Sequence, residues 1–252
     1  MKKIGIILVT FFLLCGCSSA NDQNKTDQEE VSTQQAEEIM DTPENRILEA
    51  YLKLYDAKSF DVDFFLEATP ANEFFYYSKT TLKGTLSDVE NMVFEGYYHD
   101  EMLGNEETTE NTKMDDLITE GPITKKAGED AILPGEYNGG YDYSLGNLHF
   151  EIFPSIYQKP DEHGKSESLE YSITEEAIEH GTRYTIHAVD RNVLDDGTPP
   201  YTEEHECIYD VNMDGYLIYA KEVINSPLTT NDGKLTDTNR TVICERTYTN
   251  IK

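Results

Sequence analysis

The sequence predicts an α+β fold that is mostly β, with an antiparallel sheet packed on one or a few helices. A single strong helical pattern opens the folded part of the chain, and eight or more segments with strand character follow it. Clusters of Gly, Asn and Asp separate those segments, as turns between antiparallel strands require. Helix first and strands afterwards is typical of α+β domains.

The first seventeen residues predict export and attachment to a membrane. Lys2 and Lys3 precede an apolar run over residues 4–14, which is too short for the roughly 20 residues that a bilayer span needs. The ending Leu14-Cys15-Gly16-Cys17 resembles the lipobox of bacterial lipoproteins, in which the signal is cleaved before the cysteine and the sulfur is acylated. We therefore predict a signal peptide at 1–16 and lipidation of Cys17. The alternative is an ordinary secretory signal with two incidental cysteines.

The segment that follows predicts a flexible tether. Residues 18–41 are almost entirely polar, and they carry Lys25 against seven acidic residues. Such a composition cannot bury enough apolar surface to fold. We expect residues 17–41 to be an acylated cysteine with a disordered acidic tether, followed by a single extracytoplasmic domain over 42–252.

The charge of the chain excludes some functions. The formal net charge is −29, and removal of a signal with two lysines makes it −31. Nucleic-acid binding depends on Lys and Arg that neutralise phosphates, so no nucleic-acid partner is expected. Two interpretations of the acidity stay open: solubility of a tethered domain, or binding of a cation or cationic partner.

The domain is predicted to begin with a helix. Thr42 suits the N-cap position and Pro43 the first helical position. Apolar residues then recur at the spacing of one helical face: Ile47, Leu48, Tyr51, Leu54 and Tyr55. We expect about fifteen helical residues, ending near Lys58.

Three strands are predicted next, as an antiparallel meander over residues 60–67, 74–86 and 89–98, because apolar and polar side chains alternate there. Residues 104–140 are acidic and rich in Gly-Pro and Gly-Gly pairs, so loops or an irregular excursion are expected. A strand is predicted at 148–152. A short helix is predicted at 172–180, because Ser172 and Glu175 have capping-box spacing.

The last third predicts further strands. One covers residues 184–188, a hairpin joins 203–211 to 216–224 through a turn at 212–215, and a final strand covers 238–250. Length and pattern fit one domain.

The hairpin turn resembles the opening of a calcium loop. Asp210, Asn212 and Asp214 alternate before Gly215, as oxygen ligands do around calcium. The twelfth position should be a bidentate Glu, but Lys221 occupies it. A plain hairpin turn is therefore favoured, and a weak cation site is the alternative.

Cys207 and Cys244 would remain after processing, in a compartment where disulfides persist. In a meander, one strand separates them, which places them about 9–10 Å apart. A disulfide needs Cα atoms within about 7 Å. Free thiols are therefore favoured, and a disulfide requires another strand order.

Catalytic motifs of the common hydrolase, metalloprotease and nucleotide-binding types do not occur in the sequence. His205 and Cys207 point to the same face of a strand, which is weak support for zinc, and a surface or hydrogen-bonded histidine is the favoured interpretation. No cofactor, no metal site and no enzymatic activity are predicted.

Three features of the chain resemble a known superfamily. The helix-to-strand entry ILEAYLKLYDAKSFDVDFFLEA, the aromatic strands and the hairpin YDVNMDGYLIYAKEV are similar to the LolA-like lipoprotein superfamily. The resemblance implies a strongly curved antiparallel sheet wrapped over helices, a half-barrel whose concave face holds an apolar ligand.

Two functions are expected from these observations. The first is a non-catalytic lipoprotein on the extracytoplasmic face of the cell membrane that binds an apolar or lipid-like ligand; 17 Tyr and 10 Phe could line such a site. The second is an accessory module that binds an envelope protein and has no small-molecule pocket. An enzyme is the third and least supported class.

Overall fold

The protein is described from a computed structural model, which covers residues 41–72, 74–104, 115–132, 148–157, 166–192, 200–229 and 234–252. The predicted signal at 1–16, Cys17 and all but the last residue of the predicted tether lie outside the described residues. Lipidation of Cys17 therefore stays a prediction.

Helix α1 spans Pro43–Tyr55 and begins as the sequence predicts. The Thr42 side chain accepts a hydrogen bond from the backbone N–H of Asn45, and Pro43 occupies the first turn. The last helical residue is Tyr55, three residues before the predicted end near Lys58, and Asp56 is the C-cap. Its buried face packs against two strands in the second half of the sheet.

The described residues contain nine strands, which form one antiparallel sheet. In chain order they are β1 (Phe60–Thr69), β2 (Phe75–Asp88), β3 (Val93–Gly104), β4 (Leu117–Lys125), β5 (Ser166–Ile178), β6 (Gly181–Asn192), β7 (Tyr201–Asn212), β8 (Leu217–Thr229) and β9 (Leu235–Thr249). Their order in the sheet is β4-β3-β2-β1-β9-β8-β7-β6-β5. The sheet is curved and does not close, so β4 and β5 are its edges.

The chain thus makes two meanders that meet at one central pair. In chain order, β1 to β4 are added from the centre of the sheet to one edge, and β5 to β9 from the other edge back to the centre. At the centre, β1 pairs with β9 from Asp61↔Thr249 to Thr69↔Thr241. The predicted meander of β1, β2 and β3 is confirmed, as is the β7–β8 hairpin.

One face of the sheet forms the core with α1. Buried residues alternate along several strands, for example Phe60, Val62 and Phe64 in β1 and Tyr184, Ile186 and Ala188 in β6, as the period of two in a β-strand demands. The largest fully buried side chains are Tyr209, Tyr248, Phe60, Phe94, Phe153, Ile47, Leu54, Leu82, Leu86, Ile123, Leu148 and Ile152. We call the face that packs against α1 the concave face of the sheet, and we call the opposite face the convex face.

Two glycines allow an aromatic ring to lie flat on the concave face. Gly84 of β2 and Gly96 of β3 are directly opposite each other. A Cβ atom at Gly84 would lie 2.5 Å from Cζ of Phe94, and one at Gly96 would lie 2.8 Å from the same atom. Both distances are shorter than van der Waals contact, so the buried Phe94 ring depends on both glycines.

A second helix, α2 (Leu148–Ile152), packs against β1 and is held by β9. The Tyr248 hydroxyl donates a 2.7 Å hydrogen bond to the carbonyl of Ile152, and Arg246 Nε donates a 3.0 Å bond to the carbonyl of Glu151. These bonds satisfy carbonyls that a helix end leaves without intrahelical partners. In the described part of the chain, neither helix has the length and apolar character needed to cross a membrane.

The prediction of a strand at 148–152 was wrong, because α2 occupies these residues. Leu148 and Ile152 are both buried. Positions i and i+4 lie on one face of a helix, and positions i, i+2 and i+4 lie on one face of a strand. The short apolar pattern fits both structures.

The prediction of a short helix at 172–180 was also wrong. Strand β5 runs through Ser172 and pairs with β6 from Ser166↔Asn192 to Ile178↔Gly181. The cross-strand ladder outweighs the local capping-box spacing. The acidic excursion at 104–140 likewise contains a strand, β4, which pairs with β3 from Phe94↔Lys125 to Met102↔Leu117.

Candidate functional site

An apolar cleft lies between α1 and the segment that begins with α2. It encloses about 330 Å³ and is lined by Leu48, Tyr51, His149, Phe153, Pro154, Ser155 and Ile156. Ligand sites typically occupy roughly 300–1,000 Å³ and have mostly apolar linings. The volume is at the small end of that range, and one narrow apolar group would fill it.

Phe153 is the main aromatic wall of the cleft. Its ring lies 6.3 Å from Tyr51 in an edge-to-face arrangement, 4.9 Å from Tyr55 and 5.0 Å from His149, measured between ring centroids. Beneath it, Phe60 makes an edge contact at 5.7 Å. Such pairs stabilise a fixed ring geometry beyond the area they bury. These four aromatic neighbours hold the Phe153 ring in a fixed position in the wall of the cleft.

The segment after α2 is fixed to the sheet at its far end. The backbone N–H of Tyr157 donates a 3.1 Å hydrogen bond to the hydroxyl of Tyr209, and the Tyr157 hydroxyl donates a 2.9 Å bond to Asp190 Oδ2. The wall formed by residues 153–156 is thus held at both ends, by β9 at α2 and by β6 and β7 at Tyr157.

Charged side chains lie beside the cleft on the concave face. Burial, together with the nearby Asp100 carboxylate, raises the pKa of Glu151 to about 7, although Arg246 acts in the opposite direction. Burial also raises the pKa of Asp100, which accepts a 2.7 Å hydrogen bond from the Thr80 hydroxyl. Near pH 7 the Glu151 carboxyl group therefore changes charge, between Asp100 of β3 and Arg246 of β9.

A second charged group surrounds His205 on β7. Its Nε2 lies 3.8 Å from Glu203 Oε2 and its Nδ1 lies 3.5 Å from Glu222 Oε1. The two glutamates raise the pKa of His205 to about 9 against the opposing effect of burial. The imidazole is therefore a cation at neutral pH.

The structure gives the residues of the proposed cation turn other contacts. Both carboxylate oxygens of Asp210 accept hydrogen bonds from Arg183, Asn212 Oδ1 accepts one from the backbone N–H of Tyr216, and the Lys53 ammonium donates to the carbonyl of Asp214. These contacts form a hairpin turn with Gly215 at φ +79°. Across the described ranges, no group of three or more His, Cys, Asp or Glu residues is arranged to hold a metal ion.

Cys207 and Cys244 are both free. Each lies directly opposite Glu222, Cys207 on β7 and Cys244 on β9, so a full strand separates them. Burial raises the pKa of Cys207 to about 12 and also raises the pKa of Cys244. Reactive cysteines have lowered pKa values, so these sulfurs are thiols at neutral pH.

Sequence reasoning identified His205 but missed the acidic residues around it. Once the order β6-β7-β8 is known, alternation alone places Asp190, Glu203 and Glu222 on the face of the buried Ile186 and Cys207. Glu151 and Tyr157 gave no usable signal, because they lie in a helix that was predicted as a strand and in the segment that follows it.

No protein-family model matches this chain, and no curated protein matches it at a significant level. Among solved structures, the crystal structure of LprF from Mycobacterium bovis is similar to it. The sequence identity is 11%, the match covers 82% of this chain and 91% of that chain, and the TM-score is 0.32. We draw no functional conclusion from a similarity at that level.

Proposed function

We propose that this protein is a lipid-anchored protein of the extracytoplasmic face of the cell membrane, and that its half-barrel binds an apolar or lipid-like ligand without catalysis. The anchor part of the proposal depends on the sequence of residues 1–17. The ligand part depends on the cleft between α1 and α2.

The single observation that carries the ligand proposal is the lining of the cleft. Leu48 and Tyr51 from α1 face Phe153, Pro154 and Ile156 from the segment after α2. An apolar group placed there would leave water on contact with both walls, and each Å² of apolar surface so buried contributes about 25 cal/mol. Rigid walls also lower the entropic cost of binding.

The absence of catalysis is part of the proposal. Acyl-transfer and redox enzymes need an activated nucleophile, and a cysteine in that role has a lowered pKa. Burial instead raises the pKa of Cys207 and of Cys244.

A second function is favoured by one edge of the sheet. Leu117 and Ile118 at the start of edge strand β4 are 43% and 60% exposed, and Ile132, which pairs with β4 at Thr124, is 64% exposed. Exposed apolar residues beside an edge strand are a surface on which another protein can add a strand. An envelope protein bound there would make this chain an accessory module.

The anchor is tested with Cys17→Ser in the full-length chain. We expect wild-type protein in the membrane fraction, with an intact mass that includes acyl chains, and release of the variant from the membrane. Cys15→Ser is the matched control, because Cys15 would be removed with the signal. A wild-type protein with an unmodified amino terminus would disprove the anchor.

The ligand site is tested in membranes that contain the full-length chain. A photoreactive dodecanol with a diazirine in its alkyl chain is added, and labelled peptides are mapped after irradiation. We expect labels in peptides from α1 or residues 148–157. Leu48→Asn should reduce labelling about ten-fold, the effect of losing about 1.4 kcal/mol of apolar contact.

Leu52→Asn is the control for this experiment. Leu52 lies one turn further along α1, is 50% exposed and is not in the lining of the cleft. Its labelling should equal that of the wild type. Equal labelling of all three proteins would show that the probe does not bind in the cleft, and the ligand proposal would fail.

A further inference from the structure

Three carboxylates on neighbouring strands share the concave face with His205. Asp190 of β6 lies directly opposite Glu203 of β7, and Glu222 of β8 lies directly opposite Cys207, two residues after His205 on β7. His205 lies between the two glutamates. We call Asp190, Glu203, His205 and Glu222 the acidic cluster.

Among the carboxylates of the acidic cluster, Asp190 has a buried oxygen without a hydrogen-bond donor in the described residues. The residue is only 8% exposed. Its Oδ2 accepts a 2.9 Å hydrogen bond from the Tyr157 hydroxyl, whereas Oδ1 is buried and has no hydrogen-bond partner in the part of the chain that the structure describes. A buried carboxylate oxygen without a donor is costly, because the oxygen has lost its hydration. A donor from a ligand would satisfy it.

The charge of the acidic cluster selects the kind of donor. The acidic cluster contains three carboxylates and one imidazolium, so its formal charge is about −2 when all three acids are ionised. Arg246 of β9 is directed elsewhere, to the Glu151 carbonyl and the Cys244 sulfur. A positively charged donor is therefore attracted and an anionic group is repelled.

Aromatic rings line the same place. The Tyr157 ring lies 5.1 Å from the His205 ring and stacks on Tyr171 at 6.2 Å, with an angle of 18° between the planes. Tyrosine faces attract organic cations, most strongly where water is excluded. Carboxylates combined with aromatic faces suit an organic ammonium group.

The acidic cluster and the apolar cleft are connected along the chain. Pro154, Ser155 and Ile156 line the cleft, and the next residue, Tyr157, donates its hydroxyl hydrogen to Asp190. A molecule with an alkyl chain in the cleft would have its polar end near Tyr157. The two sites together fit one amphiphile.

We propose that the half-barrel binds an amphiphile whose head group carries a positively charged amine, with the ammonium on Asp190 and the alkyl chain in the cleft. This inference rests on the proposed ligand-binding function and names the class of its ligand. An ammonium N–H would complete the contacts of Asp190 Oδ1, and the carboxylates of Glu203 and Glu222 beside His205 would add to the attraction at longer range.

The test compares two photoreactive probes with the same twelve-carbon chain and diazirine, one ending in a primary amine and the other in a carboxylate. Each is added to membranes that contain the full-length chain, and labelling of residues 148–157 is quantified. We expect the amine probe to label at least about ten-fold more than the carboxylate probe, as loss of a charge-assisted hydrogen bond implies. Asp190→Asn should bring the ratio close to one.

Asp63→Asn is the matched control. Asp63 lies on the convex face of β1, 2.6 Å from Lys83, and its replacement changes the net charge of the protein by the same amount. It should leave the labelling ratio unchanged, which separates recognition at the acidic cluster from general attraction of amines to an acidic protein. Glu222→Gln is a second test variant at a less buried position; it removes one negative charge from the acidic cluster and should lower the ratio.

The outcomes separate this inference from the function beneath it. Equal labelling by both charged probes, or a ratio unchanged in Asp190→Asn and Glu222→Gln, would overturn the amine proposal, while dodecanol labelling would still support an apolar ligand. Failure of all three probes would overturn both proposals. Butylamine, which has no long chain, is added as a competitor of the amine probe. If butylamine prevented labelling at the same concentration as dodecylamine, the proposal of an amphiphilic ligand would be overturned in favour of a free amine.

Discussion

Arg183 of β6 donates two hydrogen bonds of 2.7 Å to Asp210 of β7, one from Nε and one from Nη2, so both carboxylate oxygens have a charged partner. The two residues are directly opposite each other in the antiparallel ladder. The Asp210 side chain is only 10% exposed, whereas that of Arg183 is 40% exposed. A bidentate pair of this kind neutralises the buried carboxylate of Asp210 and also favours one register of the two strands.

Replacement of Arg183 by Met should lower the free energy of unfolding by about 2 kcal/mol, because it leaves the buried Asp210 carboxylate without its cation. Urea denaturation of wild type and variant at the same pH measures the difference. Asp210→Asn should cost less than Arg183→Met, since the remaining Arg183 is partly solvated.

The exposed pair Lys83–Asp63 is the control for that measurement. Its side chains are 72% and 51% exposed, and its ion pair is 2.6 Å long. Exposed pairs contribute at most about 1 kcal/mol. Lys83→Met should therefore change the urea midpoint little, and an effect as large as that of Arg183→Met would show that burial does not decide how much an ion pair of this sheet stabilises the fold.

A side chain at Gly84 should destabilise the first half of the sheet. Gly84→Ala would place a methyl group against the Phe94 ring and the Glu95 carbonyl, in a core that has no room for it. Overpacking of this kind costs about 1–3 kcal/mol. Thermal unfolding measures the loss, and in a double-mutant cycle Gly84→Ala should cost less in the Phe94→Leu background than in the wild type if the ring is the obstacle. An equal cost in both backgrounds would place the strain in the backbone.

The two cysteines should be recovered as thiols. Iodoacetamide without reductant should leave Cys207, which has no exposed surface, unmodified in the native protein and should modify both Cys207 and Cys244 in urea. Peptide mass spectrometry identifies the modified residues, and a sample reduced before alkylation serves as control. A disulfide-linked peptide that contains both cysteines would contradict the strand order, because β8 lies between β7 and β9 and keeps the two Cα atoms too far apart for a disulfide.

The parts of the fold that could be predicted were those with a local cause. Thr42 and Pro43 set the start of α1, and strict alternation set β1 and the β7–β8 hairpin. The distance argument on Cys207 and Cys244 was possible because consecutive strands of a meander are neighbours.

The parts that could not be predicted depend on distant partners. Strand β4 begins with the exposed Leu117 and Ile118 and contains Gly121 and Pro122, so its own sequence indicates a loop, and only pairing with β3 makes it a strand. The acidic cluster likewise needs the strand order β6-β7-β8. Its Tyr157 arrives from a segment whose position is fixed by β9, about ninety residues later in the chain.

Glu151 should make the stability of the domain depend on pH. Its pKa is about 7 in the folded protein, above the ordinary value of 4.5, since burial and Asp100 disfavour the ionised form. An acid whose pKa is raised by folding stabilises the fold in its protonated form. That contribution is fully present below pH 4.5 and is lost as the pH rises through 7, for a total of up to about 3 kcal/mol.

Glu151→Gln removes the titrating group but keeps the backbone carbonyl that accepts from Arg246. We expect the variant and the wild type to have similar free energies of unfolding at pH 4.5, where Glu151 is protonated, and the variant to be more stable at pH 8. Urea denaturation at half-unit pH steps gives the difference in free energy of unfolding between variant and wild type. The contributions of the other acids are common to both proteins and cancel in this difference. Glu49→Gln, at an exposed position on α1, is the matched control for the loss of one carboxylate. A Glu151→Gln difference that does not vary with pH would mean that the Glu151 carboxylate is solvated and stays ionised in the folded protein throughout this pH range.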